Sequence, residues 1–375
     1  MPRGMRVMIS GGGTGGHVYP GIAIADAIKR LFPDSAILFV GAHNRLEMQK
    51  VPQAGYDIVG LRARGWQRKR WWTNWSLPWY MLMGLIKARH TIQTFKPDVV
   101  VGTGGYVSIP VLWLASMLKI PTLIQEQNAL PGLANRRLSK RVDVICVAYE
   151  SAKAHFPSQK VSLTGNPLRA ATVARDNKRL EAQQHFRLAA HLPCLLVVGG
   201  SLGAKALNLA VHTWLSDILR MGFQVLWITG QAHIAEVEGL LAPEHRQRVR
   251  SCAFTDRMDL AYAAADLVIS RAGALAVSEL CVVGKPTILV PSAHAVANHQ
   301  FYNAQPLAQA RAVCMLNDTT LVEDLGPALR KLWSHSNERV AQAERLKSWA
   351  RPQAADQIAR YVHGLATGSF SLQTE

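Results

Sequence analysis

The chain has 375 residues, 49% of them hydrophobic, which is long for one core and predicts two domains of ordinary size. Its 42 Lys+Arg against 25 Asp+Glu give a net charge of +17, so an acidic partner is expected: nucleic acid, anionic lipid headgroups or a phosphorylated substrate. Cys146, Cys194, Cys252, Cys281 and Cys314 are odd in number and widely spread, which argues against a disulfide framework and for reduced core thiols.

In chain order, MPRGMRVMIS runs straight into a strand, with no h-region or cleavage site, and no apolar stretch reaches the roughly 20 residues of a spanning helix. A cytosolic or membrane-surface protein is expected. The strand Arg6–Ser10 leads into Gly11-Gly12-Gly13-Thr14-Gly15-Gly16-His17 and a helix over Tyr19–Leu31. Gly11, Gly13 and Gly16 fit G-x-G-x-x-G. A nicotinamide site would also need an acid at the end of the second strand. That strand, Ala36–Val40, ends in Gly41-Ala42-His43, and the next acid is Glu47. A dehydrogenase is therefore disfavoured, while a phosphate or sugar beside the loop stays open. His17, at the loop's exit, is a candidate base.

Between Asp57 and Asp98 there is no acidic residue, but there are Arg62, Arg64, Arg68, Lys69, Arg70, Lys87 and Arg89, with Trp66, Trp71, Trp72, Trp75 and Trp79. The apolar stretch Leu77–Ile86 is helix-compatible and too short to span a bilayer. Tryptophans and cations beside a short apolar helix suit an interfacial membrane patch. A core helix with a basic loop, or a stacking surface for single-stranded nucleic acid, are the alternatives.

Asp98–Val101 is the next strand, followed by Gly102-Thr103-Gly104-Gly105-Tyr106 and a helix over Ile109–Leu118. Pro121–Gln125 leads into Glu126-Gln127-Asn128, and Val142–Val147 closes the strand set of the first domain. Thr164–Arg169 reads as an interdomain connection, because Gly and Asn-Pro stop regular structure; the charged run Arg175–Arg187 reads as solvated. The pattern then restarts. Leu195–Val198, Gly199–Ala204 and a helix from Lys205 form a third strand–glycine loop–helix unit without the G-K-[ST] ending of a Walker A loop. Gln224–Thr229 and Cys252–Thr255 are further strands.

The second half centres on Leu267–Glu279, LVISRAGALAVSE: a buried strand, the tight turn Arg271-Ala272-Gly273, and a helix from Ala274. Such a turn aims the first helical N–H groups and the helix dipole at an anion above the sheet. Glu279, about one and a half turns in, is placed to reach hydroxyls of the same ligand. The strand Thr287–Val290 and the polar loop His294–Gln300 follow. A basic amphipathic segment runs from about Thr320 to His363.

Seven motifs in order, GGGTGGHVYPGIAIA, VGTGGYVSIP, QEQNALPGLANR, TGNPLR, GGSLGAKALN, SRAGALAVSEL and HQFYNA, make essentially the whole chain resemble the MurG family, peripheral glycosyltransferases of peptidoglycan synthesis. The resemblance implies an α/β protein of GT-B architecture, two Rossmann-like doubly wound parallel-sheet domains facing a cleft. The expected layout is an acceptor- and membrane-facing domain over 1–165, a UDP-GlcNAc-binding domain over 166–345, a helix over 346–363 crossing back to the first domain, and a loose tail over 364–375.

The implied reaction is inverting, metal-independent transfer of N-acetylglucosamine from UDP-GlcNAc to the C4 hydroxyl of undecaprenyl-diphospho-muramoyl-pentapeptide, on the cytoplasmic face of the bacterial inner membrane. No cofactor, no metal and no nucleic-acid partner are expected. By the same resemblance Glu279 holds the ribose, the Gly273–Ala276 turn lies against diphosphate and sugar, and Ala274, Leu275, Ala276, Val277 and Ser278 belong to the UDP-GlcNAc site. Ser201 bonds a phosphate oxygen, Thr255 reads uracil through its backbone, Arg169 is near the nucleotide, and Gln300 and Asn128 reach the sugar. Thr14, Gly15, Gly16 and His17 line the cleft. Gly104, Gly105 and Tyr106 take the acceptor diphosphate. Arg68, Lys69, Arg70, Trp71, Trp72, Trp75, Trp79 and Leu82 contact anionic lipid.

Overall fold

The computed structural model describes residues 4–62, 75, 77–173, 178–200 and 203–370. It divides into two compact units, Met1–Arg169 with Arg351–Glu375, and Ala170–Ala350.

Among the described residues, the first unit holds a parallel sheet of seven strands: β1 (Arg6–Gly11), β2 (Ala36–Ala42), β3 (Asp57–Leu61), β4 (Val99–Gly104), β5 (Thr122–Glu126), β6 (Val144–Val147) and β7 (Val161–Leu163). Their order across the sheet is β3-β2-β1-β4-β5-β6-β7. The central strands are Val/Ile-rich and buried on both faces, as a sheet covered on each side by crossover helices requires. On one face, Ile22, Ile24 and Ile28 of the helix Gly15–Leu31 pack with Val7, Ile9, Val99 and Val101. On the other, Val111 and Leu112 of the helix Ser108–Met117 meet Met8, Val100 and Ile124.

The last helix, Ala354–Thr367, belongs to this unit, and its Ile358, Ala359 and Val362 join the first of these cores. It continues past His363 to Thr367, and Phe370 packs edge-on against Tyr361 with ring centroids 5.2 Å apart. Of the tail expected over 364–375, Leu365 and Phe370 are partly buried against this core, 367–369 are exposed, and 371–375 lie outside the described residues.

The second unit repeats the order. Its strands are β8 (Cys194–Val198), β9 (Gln224–Ile228), β10 (Val249–Cys252), β11 (Leu267–Ser270), β12 (Thr287–Leu289) and β13 (Cys314–Met315), arranged β10-β9-β8-β11-β12-β13. Leu195, Val197, Trp227, Ile269 and Ile288 anchor its core, against which the helix Leu321–Ser334 lays Leu321, Leu325 and Leu329.

Several elements differ from the expectation. β3 and the two-residue β13 are strands beyond those expected, and β7, not Val142–Val147, closes the first sheet. β7 is a half-buried edge strand, so its pattern is weak. The first helix starts at Gly15, inside the glycine run, because the first-turn N–H groups have no intrahelical partner and glycine is tolerated there. The strand expected at Cys252–Thr255 lies earlier, at Val249–Cys252. The basic segment after Thr320 is three helices, Leu321–Ser334, Ser336–Lys347 and Ala354–Thr367. Of the charged run Arg175–Arg187, residues 175–177 lie outside the described residues, and 178–187 are largely exposed with two ion pairs at the start. Arg179 forms two 2.9 Å bonds to Asp266, and Lys178 reaches Asp259 at 2.9 Å.

Candidate active site

In a doubly wound sheet the strand order reverses where two crossovers leave in opposite directions, and ligands bind at the carboxyl ends of those two strands. The reversal falls between β1 and β4 in the first unit and between β8 and β11 in the second. Every glycine loop singled out in the sequence emerges at one of these two places.

In the first unit, Gly12 N–H bonds Gly104 C=O at 3.3 Å, bringing the loops after β1 and β4 together. A Cβ on Gly105, whose φ is +83°, would stand 2.3 Å from Gly12 O; only glycine permits this approach. His17 sits over the same junction. Its Nδ1 is 3.0 Å from Gly12 C=O, and its own carbonyl accepts from Thr103 Oγ1 at 2.7 Å. A carbonyl can only accept, so Nδ1 carries the proton in the neutral ring and the lone pair is on Nε2. Nε2 faces Gly104, where an added Cβ would lie 3.1 Å from it. Tyr106 flanks the loop, its ring edge 3.6 Å from where a Gly13 Cβ would be.

The QEQNALPGLANR loop is folded around a buried carboxylate. Glu126, 1% exposed, accepts from the Asn128 and Gly132 N–H groups, both at 3.0 Å, and from Asn135 Nδ2 at 2.9 Å. Gln127 Nε2 donates to Thr103 C=O at 2.7 Å, and Asn166 Nδ2 to Gln127 C=O at 3.1 Å. Four of the seven motifs are thus tied to one sheet edge. The structure groups Thr14, Gly15, Gly16, His17, Gly104, Gly105, Tyr106 and Asn128 there. Arg169 lies in this unit, its guanidinium 5.7 Å over the Tyr19 ring.

One residue of this edge carried no positive signal in the sequence. Glu47 is 1% exposed, and its carboxylate accepts from the N–H groups of Gly13 at 3.1 Å and Ala42 at 2.9 Å. It pins the glycine loop to the end of β2 across 34 residues of chain. A dinucleotide's pyrophosphate at Gly13 would face this carboxylate, which independently disfavours a nicotinamide site.

In the second unit, β11 ends at Ser270 and the helix Ala274–Val283 begins one short turn later, with Gly273 as its extended N-cap. Its N-cap is a glycine and so brings no capping side chain of its own. It ends at Gly284, whose φ of +58° suits a left-handed cap and whose N–H reaches Leu280 C=O at 2.8 Å. The turn is fixed by Arg271, which is 8% exposed and donates to Val290 C=O at 3.1 Å and to Asp318 at 2.7 Å. Asp318 also accepts the Ala293 N–H, and Gln300 Oε1 accepts the Ser292 N–H at 2.9 Å. The loop after β12 is therefore latched to the loop after β11, and Gln300 is held at its rim. Ala274–Glu279 and Gln300 share this edge.

Thr255 lies after β10, where its Oγ1 accepts the Arg257 N–H at 3.0 Å. This turn is clamped by Asp259, bonded by Arg257 and by Lys178. Burial raises the Asp259 pKa, but the two cations outweigh it and hold it at about 2. A depressed carboxylate stabilises the fold above its unfolded value of about 4, and the contribution is lost as pH falls toward 2. Asp259→Asn is expected to cost about 1–2 kcal/mol at pH 7, a sum trimmed by screening at half-exposed Arg257. In urea unfolding the gap to the wild type narrows steadily between pH 5 and pH 3. A gap independent of pH would mean packing, not charge, is lost.

Ser201, Arg68, Lys69, Arg70, Trp71 and Trp72 lie outside the described residues. Of the remaining expected lipid contacts, Trp75 is 84% exposed, and Trp79 and Leu82 are also exposed, as are Met81 and Ile86 beside them. These last four are on the helix Leu77–Phe95. No helix among the described residues is long and apolar enough to cross a membrane. Nor do the described residues gather three His, Cys, Asp or Glu side chains able to hold a metal ion.

The chain matches the glycosyltransferase family 28 N-terminal domain over residues 7–147 and the C-terminal domain of that family over 194–358. It is 45% identical to a protein of Christiangramia forsetii over 97% of this chain and 99% of the relative, and 44% identical to one of Flavobacterium psychrophilum over 94% and 95%. Both relatives carry the name UDP-N-acetylglucosamine–N-acetylmuramyl-(pentapeptide) pyrophosphoryl-undecaprenol N-acetylglucosamine transferase. Among solved structures, Acinetobacter baumannii MurG superposes with a TM-score of 0.75 at 27% identity, covering 96% of this chain and 99% of its own. A Neisseria meningitidis UDP-GlcNAc 2-epimerase shares the fold, at 15% identity and a TM-score of 0.67. With both sheets of the GT-B pair matched in order and near-complete overlap with these relatives, the chain belongs to the MurG group of glycosyltransferase family 28.

Proposed function

We propose that this protein transfers N-acetylglucosamine from UDP-GlcNAc to the C4 hydroxyl of undecaprenyl-diphospho-muramoyl-pentapeptide, inverting the anomeric centre. What carries the reading is the 45% identity, over nearly the full length, with a transferase of that name, supported by a glycine-capped helix start at a sheet edge in one unit and a histidine-bearing glycine edge in the other.

The chemistry follows from the groups present. His17 Nε2 takes the proton of the attacking C4 hydroxyl, while Nδ1–H, bonded to Gly12 C=O, keeps the ring in the basic tautomer and fixes its plane. The new C–O bond forms on the face opposite the bond to the β-phosphate, and UDP leaves with the electron pair. Its growing negative charge meets the N–H groups and dipole of the helix starting at Ala274. Glu279 accepts from the ribose hydroxyls, the Thr255 backbone reads uracil, and Gln300 and Asn128 hold sugar hydroxyls. The Gly104–Tyr106 loop takes the acceptor diphosphate. No step in this scheme calls on a divalent ion.

The acceptor's lipid carries the protein to a bilayer. Trp75, Trp79 and Leu82, exposed beside the acid-free basic stretch, rest the first unit on anionic lipid at the inner face of the membrane. Replacing these three by Ser is expected to lower sedimentation with anionic vesicles several-fold, while activity on a short-chain soluble acceptor stays within about twofold. Equal loss of both would make the side chains structural.

The deciding assay is transfer of radiolabelled GlcNAc to a short-chain lipid-linked muramoyl-pentapeptide in the presence of EDTA. Labelled disaccharide product is expected. UDP release without acceptor glycosylation would discard the acceptor and keep the donor; no turnover of UDP-GlcNAc would overturn the reading.

A further inference from the structure

Tyr262 is 1% exposed, on the helix Met258–Ala264 that precedes β11. Phenylalanine would bury the same ring without bringing a hydroxyl that needs a partner inside the protein. The hydroxyl has one: it donates to Glu279 Oε2 at 2.9 Å. Glu279 stands on the next helix, partly exposed. A glutamate carboxylate at such a position has several rotamers to choose from, and fixing one costs rotamer entropy. A rigid phenol anchored in the core removes that choice before any ligand arrives.

We propose that Tyr262 is a positioning residue that sets selectivity for ribonucleoside over deoxyribonucleoside diphosphates, by locking the Glu279 carboxylate through Oε2 so that it receives the ribose hydroxyls. The inference rests on Glu279 being the ribose partner. An ionised carboxylate only accepts hydrogen bonds, and both the phenol and the ribose hydroxyls can donate, so the two partners do not compete for the same role. Burial, together with the negative charge of Glu279, pushes the phenol well above its ordinary value, so it stays a donor throughout the neutral range. A site built around fixed acceptors discriminates strongly against a ligand lacking the hydroxyl, whereas a mobile carboxylate finds other partners and discriminates less.

The test is calorimetric titration of the full chain with UDP and with 2′,3′-dideoxy-UDP, comparing wild type, Tyr262→Phe, Glu279→Ala and the double variant. Tyr262→Phe is expected to weaken UDP about five- to twentyfold and to leave dideoxy-UDP within about twofold, since that ligand never uses the carboxylate. In the Glu279→Ala background, Tyr262→Phe adds no further loss for UDP. In turnover, Tyr262→Phe raises KM for UDP-GlcNAc and leaves kcat nearly unchanged. Glu279→Asp keeps the charge but withdraws the carboxylate from the phenol by one methylene; it loses selectivity as well, and serves as the second variant if Tyr262→Phe folds poorly.

Equal weakening of both ligands by Tyr262→Phe would make the hydroxyl structural and overturn the proposal. Unchanged selectivity in Tyr262→Phe, with selectivity lost in Glu279→Ala, would also overturn it while leaving the ribose role of Glu279 intact. Equal binding of UDP and dideoxy-UDP by wild type, with UDP affinity unchanged in Glu279→Ala, would remove the ribose reading itself.

Discussion

His17→Ala is expected to lower kcat by about 10²–10⁴-fold, the usual worth of a positioned general base, with UDP affinity changed by less than about twofold. The asymmetry follows from where the residue sits. His17 is in the first unit, on the β1–β4 edge, while the helix start, Glu279 and Gln300 are in the second. Its ring is not a core element, being partly exposed, so its removal leaves the sheet intact. Initial rates at saturating UDP-GlcNAc, with titration of UDP alongside, check both halves of the expectation. His17→Gln keeps hydrogen bonding without a basic nitrogen, and is expected to fall as far as Ala. If Gln restores most of the rate, the histidine orients the acceptor and something else takes the proton.

Arg271→Ala is expected to destabilise the second unit by about 3–5 kcal/mol, the cost of removing one partner of a buried ion pair. The arginine and Asp318 side chains are 10% and 7% exposed, and the pair latches the loop after β12 to the turn after β11. Without the guanidinium, Asp318 is left charged and buried, and the loop carrying Ser292, which is bonded to Gln300 at the start of the next helix, loses its tether to the turn after β11. Urea unfolding gives the stability. Weakened UDP-GlcNAc binding below the unfolding transition gives the coupling to the site. Arg271→Ala with Asp318→Ala together should recover part of the stability but not the binding, because the charge penalty disappears while the latch stays broken. A single variant as stable as wild type would mean that water or a nearby cation replaces the guanidinium.

Much of this was legible in the amino-acid order. The Val/Ile runs at Leu195–Val198 and Leu267–Ser270 read as buried parallel strands, and the latter, with its turn and the helix from Ala274, lies where the sequence placed it. These are local statements: an apolar run of strand length, a glycine that breaks it, and a helix former after the break all act within a few residues. The two-domain α/β class followed from length and from the restarting strand–glycine loop–helix pattern. Order and number of motifs sufficed for the family.

Other features depend on contacts between distant parts of the chain. β3 and β7 pair with the edges that β2 and β6 offer, and β7, three half-buried residues, has no pattern strong enough to announce itself. Glu47 was visible only as an acid in the wrong place for a nicotinamide enzyme, yet the fold makes it the anchor of the glycine loop. Tyr262 and Glu279 are 17 residues apart and on different helices, so no spacing rule joins them. Arg271 and Asp318, 47 residues apart, meet only when β12 and β13 line up beside β11. The sequence by itself determined the buried central strands, the helices that follow them and which loops carry glycine, because those depend on local sterics and burial. Only the tertiary structure decided which carboxylate receives which donor, because hydrogen-bond partners are set by where the strand order reverses and how the connecting loops are brought to that edge.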